Sequence, residues 1–239
     1  MSDNDILFDI EFQKEFRKFM IKNEYEVKGS YIIGCHEECH KVPVYNFEMH
    51  TRLFDETIDS FSIYYSDVKS RLLKDHDEGF GYHFSDEDFY IYITAHEYKH
   101  YSTGGTGLRS LVDIFLYLRA KENSLDRNYI NHELEKLGIK DFEQDSCELS
   151  RKIFDSVNMP VLTEKEKEML EYFLFSGTYG TYQQRIKNEI EKHDSKTGKN
   201  SKRYYIISRI FPDMKFYKLY YLLAYKYKVL EPVDTILAT

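Results

Sequence analysis

The sequence contains no tryptophan, only four prolines and three cysteines in 239 residues, and neither a block of basic residues nor a long apolar run. Each shortage excludes something. Cys35, Cys39 and Cys147 are too few to staple a chain of this length with a disulfide framework, which fits a reducing, cytoplasmic compartment. No apolar stretch approaches the ~20 residues that a membrane span needs. The acidic start "MSDNDILFDI" lacks the basic-then-apolar layout of a signal peptide. A net charge of −8, spread along the chain, argues against an extended nucleic-acid surface, although a few local cations suffice for one nucleotide.

What the chain does have is a hydrophobic content of 42%, enough for a real core. Tyrosine (22) and phenylalanine (17) carry much of it, and tyrosine keeps a polar tip at half-buried positions. The first fifty residues read as strand, helix, strand, strand. "DILFDI" is a short apolar run. "EFQKEFRKFMIKN" puts Phe12, Phe16, Phe19 and Met20 on one helical face. "YEVKGSYIIG" and "VPVYNFEMH" read as extended segments joined by the polar loop "CHEECHK". In the second of them Val44, Asn46, Glu48 and His50 share one face by period two, and Tyr45, Phe47 and Met49 share the other.

After residue 85 the pattern turns helical. Ser85 followed by Asp88 is a capping-box-like start for "DEDFYIYITAHEYKHY". Leu108, Leu111, Val112, Phe115 and Leu116 form the apolar stripe of the next helix. Thr163 and Glu166 cap "EKEKEMLEYFLF", which stops at Gly177. Residues 126–158, 181–193 and 202–228 also read as helical, with "HDSKTGKNSK" as a mobile loop. The expectation is an α+β protein with a small sheet unit over 1–84 and a helical domain over 85–239.

Three constellations carry candidate chemistry. His96, Glu97 and His100 have the H-E-x-x-H spacing of helical zinc sites, with the glutamate as base of a hydrolase. No third ligand stands at a diagnostic spacing, and two polar histidines on a partly exposed helix are the more ordinary explanation of the motif. "CHEECH" gathers Cys35, His36, Cys39 and His40, but no partner pair accompanies it, so a hairpin loop and a metal site remain open. The third constellation is acidic. Alternation puts Asp3 and Asp5 on one side of an extended chain, and Glu48 lies on the polar face of another strand. If the two strands are neighbours, three carboxylates suit one or two Mg²⁺ ions. Otherwise Asp3 and Asp5 are solvated residues at a frayed terminus.

"MSDNDILFD", "NFEMHTRLF", "SDEDFYIYITAHEYKHYSTGGTGLRSLVDIFLYL" and the closing "RYYIISRIFPDMKFY…LEPVDTIL" together resemble the uncharacterised nucleotidyltransferase-like proteins of the DNA polymerase β superfamily. The shared elements are a D-x-D strand, a hydrophobic-Glu-x-His strand, a helical segment with a Gly-rich turn and Arg-x-x-x-Asp, and an Arg-x-Phe-Pro segment. The resemblance implies that Asp3, Asp5 and Glu48 are catalytic metal ligands for Mg²⁺. It implies NTP as substrate and transfer of an NMP group to an unknown acceptor. Lys99, His100 and Arg109 flank "STGGTG" and become candidate nucleotide-binding residues, although Arg109 and Asp113, at i, i+4, also suit a simple surface pair. The family carries a helix and a strand with a small turn, Lys-Gly, ahead of the D-x-D strand. Met1 stands two residues before Asp3, so an N-terminally truncated core is expected, with a non-catalytic nucleotide- or protein-binding remnant as the alternative.

Overall fold

The computed structural model describes residues 4–29, 36–43, 45–54, 59–158 and 160–177, together with Asn188. Asp3, Cys35 and the segments 181–187 and 189–239, with their expected helices and loop, lie outside the described residues. The order of elements begins with strand β1 (Asn4–Leu7), a 3-10 turn (Ile10–Phe12), helix α1 (Gln13–Lys22), and strands β2 (Glu26–Gly29), β3 (His36–Lys41) and β4 (Tyr45–His50). Helix α2 (Asp59–Tyr64), a second 3-10 turn and the short hairpin β5 (Leu72–Lys74) and β6 (Tyr82–Phe84) follow. The chain then turns helical in α3 (Asp86–Thr103), α4 (Arg109–Lys121), α5 (Arg127–Leu137), α6 (Lys140–Phe154) and α7 (Glu164–Ser176). The class is α+β: a mixed four-stranded sheet and then several packed helices.

The chain divides into two compact units, Met1–His96 with Tyr117–Asp145, and Glu97–Leu116 with Ser146–Thr239. In the first unit the sheet runs β1-β4-β3-β2. β1 is parallel to β4, and the other pairings are antiparallel. "CHEECHK" is therefore no loop: from His36 onward it is strand β3, paired on both sides. Pleating explains how so polar a sequence sits inside a sheet. Glu37 and Cys39 point to the face covered by α1 and are 1% and 0% exposed, while His36, Glu38 and His40 take the other face.

Under α1 the core consists of Met20, Cys39 and Met49, with Phe8, Phe16, Tyr25, Val27 and Phe47 packed against it. Only half of the predicted α1 stripe is used, since Phe12 and Phe19 are each 61% exposed. Phe12 ends the 3-10 turn before the helix begins, which shifts its phase. The face toward the sheet carries Gln13, Phe16, Arg17 and Met20. Gln13 and Arg17 both reach the buried Glu37, with Arg17 Nη1 2.7 Å from Glu37 Oε1.

Two further buried acids organise the rest of this unit. Glu133 of α5 accepts a hydrogen bond from Tyr64 at 2.6 Å and pairs with Arg71 and Lys136. Arg71 lies 4.2 Å from the centre of the Tyr64 ring and also reaches Asp88. Glu143 of α6, wholly buried, accepts from Tyr90 at 2.6 Å and pairs with Arg127 at 2.9 Å.

The helix boundaries follow their capping chemistry. Ser85 Oγ accepts from the Asp88 backbone N–H at 3.1 Å. Thr163 and Glu166 form a reciprocal capping box, and Gly177 ends α7. The expected helical stretch 126–158 is two helices, because Gly138 adopts a left-handed conformation that closes α5. In α4 the buried stripe runs through Leu111, Ile114, Phe115 and Leu118, and Leu116, expected inside, is 54% exposed.

Removing one partner of a buried ion pair costs roughly 3–5 kcal/mol, and the half-exposed guanidinium of Arg17 places this case at the low end. Arg17→Ala should therefore destabilise the protein by about 3 kcal/mol in urea unfolding. Adding Glu37→Gln should recover part of the loss, because no buried charge is then left unpaired.

Candidate functional site

On the sheet face away from α1, the register sets the site. Asp5 of β1 stands opposite Glu48 of β4, Leu7 opposite His50, His36 of β3 opposite His50, and Glu38 opposite Glu48. Two-residue periodicity on three adjacent strands thus turns Asp5, His36, Glu38, Glu48 and His50 to one side. His50 lies at the middle, its Nε2 3.1 Å from Asp5 Oδ1 and 3.5 Å from Glu48 Oε2. The rings of His36 and His50 are 5.0 Å apart, and one donor atom each from His36, Glu48 and His50 falls within 4.8 Å of the others. His40 and Glu38 pair at 3.2 Å further along the same face.

The site is half-sheltered. The Glu48 and His50 side chains are 25% and 19% exposed, against 58% for Asp5. Tyr92 of α3 belongs to the same unit. Burial, and then the charge of Asp5, pushes its phenol up to about 12, so it stays protonated beside the carboxylates.

Of the residues singled out in the sequence, Asp5 and Glu48 are brought together, and Asp3 lies outside the described residues. Lys99, His100 and Arg109 fall in the second unit, Lys99 and His100 on the last turns of α3 and Arg109 at the start of α4. Arg109 Nε is 3.4 Å from Asp113 Oδ2, both side chains being mostly exposed. The Gly-rich turn between these helices is buried from Gly104 to Gly107. Gly105 has φ +96°, and a Cβ there would meet Ser176 Oγ of α7 at 2.1 Å. Close helix packing accounts for this glycine.

The H-E-x-x-H residues behave differently from a hydrolase site. His96 stacks near Tyr92, with ring centroids 5.9 Å apart. Glu97 is 6% exposed, and its Oε1 has no hydrogen-bond partner. Burial, with a smaller contribution from Asp113, pushes its carboxyl up to about 8. Among the described residues, the triad of His, Cys, Asp or Glu that could share an ion is His36, Glu48 and His50, not a set on α3. "CHEECH" does not act as one ligand group either, since Cys39 faces the α1 core while His36 and His40 face away.

His36 is the site residue that the sequence reading did not assign to this cluster. The available signal was period two in H-E-E-C-H, which sets His36 and His40 on the face opposite Cys39.

A carboxylate–imidazole cluster on a sheet face, in an α+β chain, is a donor set of the kind divalent cations take. Residues 1–155 match the sequence model of a family described as uncharacterised nucleotidyltransferase, and the chain belongs to that family. No curated protein and no solved structure matches it. Among the described residues, no helix is long and apolar enough to cross a membrane.

The raised Glu97 carboxyl makes stability depend on pH. The unfolded chain releases this proton near the ordinary value of 4.5, whereas the folded chain holds it until about 8. The folded state therefore binds more protons in that window, and stability falls as pH rises through it. Melting temperatures of Glu97→Gln and wild type should differ little near pH 4.5. The variant should become progressively the more stable of the two toward pH 8.

Proposed function

We propose that this protein transfers an NMP group from an NTP to an acceptor hydroxyl, with Mg²⁺ held by Asp5 and Glu48 and, as the family resemblance implies, by Asp3. One observation supports this reading above the others. In a chain of nucleotidyltransferase family, Asp5 and Glu48 are direct neighbours on parallel strands of one sheet, on the face not covered by α1. Two carboxylates at adjacent positions on one sheet face suit a hard cation, which takes oxygen donors.

When bound, Mg²⁺ neutralises phosphate charge and orients the α-phosphate for in-line attack. The chain's own part is to position and to take a proton. The acceptor oxygen forms a bond to the α-phosphorus as the bond to pyrophosphate breaks, and the hydroxyl proton passes to a carboxylate. Asp5 serves this step, with His50 Nε2 at 3.1 Å to share the proton. Lys99, His100 and Arg109, all in the second unit, are proposed as nucleotide-binding residues, as the family resemblance implies; Arg109 stands at the start of α4. Arg109 would have to exchange its pairing with Asp113 for the phosphate, a change that costs little at an exposed site.

Incubation with α-labelled NTPs and Mg²⁺ tests the reading. Label should be incorporated into an acceptor from cell extract, or pyrophosphate released, and Asp5→Asn or Glu48→Gln should reduce the rate about 100-fold or more, the scale on which lost charge stabilisation is felt. Thermal shifts with ATP, CTP, GTP and UTP should show stabilisation by at least one nucleotide. Absence of stabilisation and of transfer with all four would overturn the proposal.

A further inference from the structure

The oxygen-only cation of the transfer reaction leaves His36 without a role and gives His50 only a proton. Yet, among the described residues, the donor triad that could share one ion is two imidazoles and one carboxylate. His36, Glu48 and His50 each offer a ligand atom within 4.8 Å of the others. A metal bonded at about 2.0–2.2 Å to three donors needs them about 3–4 Å apart, so one modest side-chain rotation closes the set. The two strands are registered for it: His36 and His50 are Cα partners on β3 and β4, and Glu48 lies two residues before His50 on the same face. Asp5 Oδ1, 3.1 Å from His50 Nε2, adds a further carboxylate beside the triad, either to ligate or to fix the ring.

Donor chemistry decides which ion suits such a set. Mg²⁺ prefers oxygen and keeps much of its water, whereas imidazole nitrogen suits borderline first-row ions, with affinity rising from Mn²⁺ through Co²⁺ and with Zn²⁺ above both. Two histidines and a carboxylate leave coordination positions open for water or a phosphate oxygen, as catalytic and not closed structural sites do. Among the described residues, the nearby soft donor is out of reach: Cys39 is 0% exposed on the opposite face, and burial, followed by the Glu37 charge, pushes its thiol up to about 11. Among the described residues, the ligands offered to the ion are therefore nitrogen and oxygen.

We infer that His36, Glu48 and His50 form a binding site for one borderline divalent transition-metal ion, of the Zn²⁺ and Co²⁺ class, that Mg²⁺ does not displace. The site shares Glu48 and His50 with the nucleotidyl-transfer reading and does not otherwise rest on it, since it requires no nucleotide.

Co²⁺ is the probe, because nitrogen and oxygen ligation gives it visible d–d absorption. Titration of the metal-free protein should saturate at one equivalent of Co²⁺. The signal should persist in a 100-fold excess of Mg²⁺ and be displaced by Zn²⁺. His36→Gln and His50→Gln should each weaken Co²⁺ binding about tenfold or more, as loss of one of three ligands implies, while the double variant His96→Gln/His100→Gln should bind as wild type does. A second readout uses the unmutated protein and so does not depend on the variants folding. Substoichiometric Mn²⁺ should broaden the ring-proton NMR signals of His36 and His50 before those of His96 and His100. Failure to bind Co²⁺, displacement by Mg²⁺, or loss of binding with the α3 histidines would each overturn the inference. NTP turnover is scored separately. Transfer activity without Co²⁺ binding sinks the metal site alone, and Co²⁺ binding without transfer under any metal sinks the transfer reading alone.

Discussion

The parallel pairing of β1 with β4 is the constraint on which the chemistry of the first unit depends. Neither strand alone presents more than a fragment of the site: β1 brings Asp5, and β4 brings Glu48 and His50. Because side chains alternate strictly along a strand, the same register that turns these three to one face sends Met49 to the other, onto Met20 of α1. A shift of one residue in β4 would bury the glutamate and expose the methionine. The apolar core under α1 thus fixes the register, and the register fixes the distance between the carboxylates. Parallel neighbours cannot be joined by a tight turn, so α1, β2 and β3 lie between them in the chain, and α1 supplies the covering layer.

Buried acids give the tyrosine-rich composition a physical meaning. Glu133, Glu143 and Glu37 are all at most 3% exposed, and each has an arginine partner: Arg71, Arg127 and Arg17. In the first two cases a tyrosine hydroxyl donates to the same carboxylate at 2.6 Å. A phenol fills apolar volume with its ring and satisfies a charge with its tip, a double task that phenylalanine cannot perform and that indole performs with a bulkier body. Glu97 differs from these three among the described residues: no arginine pairs with it, and burial makes it hold its proton up to about pH 8.

Much of this was legible in the sequence, for reasons that differ by residue. Period two in "VPVYNFEMH" gave the faces of β4, and the helix starts at Ser85 and Thr163 were written in side chains that cap locally. β3 was missed because its burial does not follow from polarity: a charged Glu37 occupies an inward position, made tolerable by Arg17 and Gln13 from a helix twenty residues earlier. No local pattern encodes such a compensation. The same gap hid His36 from the site, since a residue in a supposed loop has no assigned face. The stripe of α1 was misjudged at Phe12 and Phe19 because helix phase depends on where the first turn becomes α-helical, and the 3-10 turn before Gln13 moves it. For the H-E-x-x-H motif, spacing was read correctly and environment could not be, because the burial of Glu97 belongs to tertiary packing.

Cys39 shows what one pleat achieves in terms of redox chemistry. Its neighbours in the strand on the exposed side are the imidazole of His40 and the carboxylate of Glu38, which pair with each other and meet solvent. The thiol, one residue away, is kept protonated and out of water. A protonated, inaccessible sulfur is a slow nucleophile toward peroxides and disulfides. Alternation therefore places a reactive atom and a set of polar donors on opposite sides of one strand. The strand keeps an imidazole- and carboxylate-bearing face and an oxidation-resistant face back to back, separated by the thickness of a single polypeptide.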